Sequence, residues 1–129
     1  MSRPDLAPDL RRFVVTNIPS VPYLEAVLLL RADPARAWTS KDMAGRLYIA
    51  LEDAQPLLHG VAQARIALRD AGDPPRFRYQ PASAELAALL DRLAAHYAAD
   101  VVTIATLIHG KTDKRARQFA DAFRWRKDS

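Results

Sequence analysis

The chain has 129 residues, 50% of them hydrophobic and 26% charged, which suits one folded domain with at most a terminal appendage and argues against general disorder. It has no cysteine, which excludes disulfides and thiolate metal sites. The net charge of +4 is lopsided: residues 1–110 carry twelve basic and twelve acidic side chains, so the whole excess lies in residues 111–129.

Residues 1–19 hold three of the nine prolines and read as a loosely ordered N-terminal arm, in which Phe13, Val14 and Val15 could dock on something. Pro22 suits the first turn of a helix capped by Ser20 or Val21, with Leu24, Val27 and Leu28 at helical spacing and a stop before Asp33-Pro34. Thr39 or Ser40 caps a short second helix through Leu47, burying Met43, Ala44 and Leu47. Asp53 is the expected cap of a third, with Pro56 in its first turn and Ala54, Leu57, Leu58 and Val61 as its buried stripe. Gly60 within it is a local weakness.

At Arg65 the period changes to two. The runs R-I-A-L-R and R-F-R-Y-Q flank A-G-D-P-P, which predicts a hairpin closed near Gly72, with Ile66, Leu68, Phe77 and Tyr79 facing inward. An unbroken helix from Asp53 through Ala71 is the competing reading. Ser83 then caps a long helix whose stripe (Leu86, Leu89, Leu90, Leu93, Tyr97, Val101, Ile104, Ile108) ends at Gly110. Its span of about 40 Å exceeds what one small domain needs, so Leu90, Leu93, Tyr97, Val101 and Ile104 are expected to be covered by a second subunit. A final basic helix capped by Asp113 would add Phe119 and Phe123 to that homodimer contact.

The expected fold is therefore mainly α with a small β-hairpin: a winged helix-turn-helix over 20–82, after the arm of 1–19, then a long helix and a basic C-terminal helix over 83–129. The stretch T-S-K-D-M-A-G-R-L-Y-I, followed by Ala54, Leu57-Leu58 and Val61, resembles the helix pair of winged helix-turn-helix proteins. A long helix after the wing is similar to the multiple-antibiotic-resistance-regulator (MarR-like) type, and the ending D-K-R-A-R-Q-F-A-D-A-F-R-W-R-K-D resembles small bacterial members of that fold. The resemblance implies a cytoplasmic DNA-binding transcription regulator that forms a homodimer. The sequence departs from the pattern in two places. Tyr48-Ile49 stands where a turn glycine is usual, and no Lys or Arg lies between Arg46 and Arg65.

Base readers on the third helix would be Gln55, His59 and Gln63, which turn away from the Leu57/Leu58/Val61 stripe; glutamine can pair bidentately with adenine. Arg65, Arg69, Arg76 and Arg78 could line one side of the wing and hold phosphates. The same residues also fit a solvated surface, and the whole face fits a winged helix that recognises a regulatory protein instead of double-stranded DNA. Catalysis is not expected: phosphate loops and nucleophile elbows are missing, the serines at 20, 40 and 83 are explained as caps, and His96 and His109, thirteen residues apart, read as structural or exposed side chains. No cofactor is expected. Nor is membrane insertion, because the longest aliphatic run, AVLLL, is far short of the ~18 residues that span a bilayer.

Overall fold

The computed structural model describes residues 6–110. These residues form six helices and one two-stranded antiparallel hairpin, so the fold is mainly α with a small β element. The expected basic C-terminal helix, with Phe119 and Phe123, lies outside the described residues.

Within the described residues, the expected N-terminal arm is helical over most of its length. Pro8–Asn17 form helix α1, with the proline at the first position, where its missing N–H costs nothing. Leu10, Val14 and Ile18 recur at i, i+4 and i+8, and all three are buried in the core. The chain then bends by 111° into α2 (Val21–Ala32). Ser20 caps α2 by accepting a hydrogen bond from the Tyr23 amide (3.3 Å), and Leu24, Ala26, Val27 and Leu30 are fully buried.

Helix α3 (Ser40–Leu47) starts with a reciprocal cap. The Thr39 hydroxyl accepts from the Asp42 amide at 3.0 Å, while the Asp42 carboxylate accepts from the Thr39 amide at 3.2 Å. Helix α4 (Leu51–Gln63) begins two residues before the expected cap at Asp53; Ala50 occupies the cap position without a side-chain acceptor. Pro56 consequently sits in the second turn of α4, where proline removes a backbone bond. Ala54, Leu58 and Val61 are buried, so tertiary packing on α2 and α3 holds a helix that local preference alone would not.

After α4 the chain turns at Arg65 and forms the hairpin β1 (Ala67–Arg69) and β2 (Phe77–Tyr79), which rules out the unbroken helix. The register pairs Ala67 with Tyr79, Leu68 with Arg78, and Arg69 with Phe77. One inward assignment is therefore corrected. Leu68 is 53% exposed, because Ile66 lies before the first strand residue and the paired strand takes its inward parity from Ala67, opposite Tyr79.

Helix α5 (Ala84–Ala99), capped by Ser83, and α6 (Val101–Gly110) replace the single long helix. Asp100 breaks the rod: its carboxylate accepts from the Thr103 amide (3.2 Å) and hydroxyl (2.5 Å), a local bond that competes with helix continuation. Leu90, Leu93 and Ile104 are fully buried within this one chain, in the same core as the α1 stripe. The reason given for a covering second subunit therefore disappears at these three positions. Tyr97 is partly exposed and Val101 is 48% exposed. No single helix among the described residues is long and apolar enough to cross a membrane.

Adjacent residues of α5 tie it to two partners. Asp91 accepts from Arg31 of α2 (2.9 Å), and Arg92 forks onto Asp9 of α1 (2.7 and 2.9 Å). The Arg92 hydrogen bonds hold the Asp9 carboxyl at about 2, below its ordinary 3.8. A lowered carboxyl value contributes stability that is complete above 3.8 and fades as the pH falls toward 2. Asp9→Asn is accordingly expected to flatten the acid limb of the stability profile in that window, measured by denaturation at stepped pH. At Gly60, an added methyl would lie 3.5 Å from Tyr23 Cε2, an ordinary contact. Gly60→Ala should therefore stabilise the fold by about 0.5–1 kcal/mol, read from the shift in denaturation midpoint.

Candidate nucleic-acid interface

The wing is not tied to β1 alone. Phe77 exchanges two backbone hydrogen bonds with Trp38, in the connector between α2 and α3, both at 2.8 Å. β2 is thus flanked by β1 on one edge and by Trp38 on the other. The Phe77 ring is fully buried and meets the His59 ring of α4 edge-on at 5.6 Å. Trp38 is 3% exposed, and the Arg36 guanidinium covers its ring at 3.6 Å. This cluster sets where the N-terminus of α3, the outer face of α4 and the wing stand relative to each other.

Between those three elements runs a groove of about 660 Å³. Leu51, Gln55 and His59, spaced four apart, project one stripe of α4 into it. Lys41 with Thr39 and Ser40 forms the α3 wall, and Arg69 with Pro74 and Pro75 forms the wing wall. Two cations, an imidazole and an amide therefore share one concave surface. The opposing charges lie next to it: Glu52 and Asp53 are exposed in the first turn of α4, where the helix macrodipole favours acids.

The loop of the wing is shaped by Asp70. Its Oδ1 accepts from the amides of Arg76 (2.8 Å) and Gly72 (3.0 Å), and those bonds hold its carboxyl below the usual range. A methyl at Gly72 would fall 3.1 Å from Asp70 Oδ1 and 3.2 Å from the Pro74 carbonyl oxygen, so the loop would have to give by a few tenths of an ångström to accept one.

Of the seven residues expected to face nucleic acid, the structure brings Gln55, His59 and Arg69 together. The other four are dispersed. Gln63 is exposed at the last position of α4, Arg65 occupies the corner after it, and Arg76 ends the loop. Arg78 lies opposite Leu68 on the pleat face that Arg69 does not share. Four arginines on one side of the wing is thus corrected, for the same change of parity that exposes Leu68. Lys41 is absent from the residues expected at the site, although it is the only lysine in residues 1–110. A helix-start position far along the chain from the wing gives no spacing signal. Compared with known proteins, the chain matches no family model, and no curated protein matches it.

Proposed function

We propose that this chain is a winged-helix protein that binds double-stranded DNA through the groove between α3, α4 and the wing, in the manner of a small transcription regulator of the cytoplasm. The observation that carries the reading is the convergence of Lys41, Arg69, Gln55 and His59 on one groove flanked by a helix and a hairpin. Lys41 and Arg69, on opposite walls, suit phosphates of a backbone running along the groove. Gln55, between them on α4, suits a base edge. Phosphate contacts orient a duplex and base contacts discriminate among duplexes, so the arrangement divides those tasks between its walls and its floor.

A second reading, recognition of a regulatory protein, is favoured by the groove's immediate surroundings. Leu51 is 42% exposed on its lining, next to Glu52 and Asp53, and residues 1–110 carry no net charge. A surface of that kind suits a mixed apolar and basic partner better than a polyanion.

Salt dependence separates the two. In the full chain, Lys41→Ala with Arg69→Ala should weaken binding to every duplex alike. The slope of log affinity against log salt should flatten by up to ~0.9 for each phosphate that is no longer neutralised. Gln55→Ala should instead narrow the gap between preferred and random duplexes while keeping the slope. An unchanged slope in the double variant would place the duplex elsewhere and favour the protein-recognition reading.

A further inference from the structure

A second concave surface lies away from the proposed DNA groove, between α2, α3 and α5. It holds about 330 Å³ and is walled by the partly exposed Leu28, Leu29, Leu47 and Tyr97, with Glu25 and Arg46 as its charged members. Neither the Glu25 nor the Arg46 side chain makes a hydrogen bond or ion pair among the described residues.

The residue that follows Arg46 and Leu47 in the chain is the most conspicuous exposed side chain of the described fold. Tyr48 is 92% exposed and terminates α3 in the left-handed conformation (φ 57°, ψ 43°). That backbone region favours glycine and is unfavourable for a bulky side chain. An aromatic ring held outward on a strained turn, next in the chain to the Leu47 that lines this groove, needs an account beyond folding, since a glycine would close the same turn at lower cost.

We infer that two copies of this chain associate through this face, the Tyr48 ring of each entering the groove of the other. In a two-fold contact the same patch serves both subunits, so a projection and a cavity must lie side by side on one surface. Tyr48 and the Leu47 wall meet that condition. The charges meet it as well: the two-fold axis sets Arg46 of each copy against Glu25 of the other, which gives two reciprocal pairs. Tyrosine suits the role because its ring is largely apolar while its hydroxyl keeps a polar partner at the rim. This interface is distinct from the α5 stripe expected from the sequence, and it does not depend on whether the other groove takes DNA.

Sedimentation velocity of the full chain over a concentration series tests the proposal. The parent chain is expected to dimerise within tens of micromolar, on the order of ordinary assay concentrations. Tyr48→Gly keeps the turn and relieves its strain, so it should raise the thermal midpoint while weakening self-association about 30-fold or more, the size expected when an aromatic anchor is removed. Arg46→Glu and Glu25→Arg should each be monomeric alone, through like charges facing across the axis, yet form a heterodimer when mixed. That mixing result cannot arise from pairing inside one chain. A parent chain that stays monomeric throughout, a Tyr48→Gly variant that dimerises like the parent, or charge variants that fail to combine would each overturn the inference. The first of these would leave the groove to a different protein.

Discussion

Both cationic walls of the proposed DNA groove are tied to one residue, Phe77. Its backbone closes a pair of hydrogen bonds to Trp38, its neighbours pair with β1, and its ring is buried against the outer helix through His59. Removing that ring would cost about 3–5 kcal/mol by the measure of buried aromatics generally. The functional consequence is more specific than the energy. Trp38 immediately precedes Thr39, Ser40 and Lys41, and Phe77 stands opposite Arg69 in the hairpin register. A shift at Phe77 therefore moves both cationic walls of the groove at once, while Gln55 stays fixed on α4. A three-residue hairpin has little stability of its own, and it holds its place by being sewn to the α2–α3 connector and packed on the core.

The other half of the molecule settles a different problem, how so short a chain covers its own apolar surface. α1 supplies Leu10 and Val14, with Ile18 just beyond its end, to the core that also holds Leu90, Leu93, Ile104 and Ile108 of α5 and α6. The break at Asp100 lets the C-terminal half of that stripe turn back onto the core instead of projecting from it. Among the described residues, the large apolar side chains that remain open are Val15, Tyr48, Leu51, Leu68, Val101 and Val102. Tyr48 and Leu51 bracket the connection between α3 and α4, and the inferred association between copies would add burial there.

What is legible in the sequence follows from which signals are local. Caps and periodicity are local, and the cap at Ser20, the α3 cap at Thr39, the stripe of α4 and the existence of the hairpin all agree with the structure. The failures each involve a local rule overruled by a neighbour. Pro8 reads as part of a loose, proline-rich stretch, whereas at a first helical position it starts a helix. Asp100 is inconspicuous within an apolar repeat because its partner, Thr103, lies one helical turn further on among stripe residues. Leu68 turns inward when alternation is counted from Ile66, but Ile66 lies before the strand, whose parity is set by the pairing of Ala67 with Tyr79. The candidate site is affected in the same way. Gln55 and His59 are four apart on one helix, so their spacing places them together. Lys41 joins them through the packing of α3 on α4, which no spacing along the chain encodes.

The central claim is that a groove assembled by Phe77 presents α3, α4 and the wing together to a duplex. Mapping backbone amide shifts of the full chain during titration with duplex DNA at low salt tests it most directly, because the three walls report separately. The account predicts the largest changes at Thr39–Lys41, Leu51–His59 and Arg69–Arg76, growing in step with one another as duplex is added. Changes confined to residues 111–129, with the three walls silent, would contradict it.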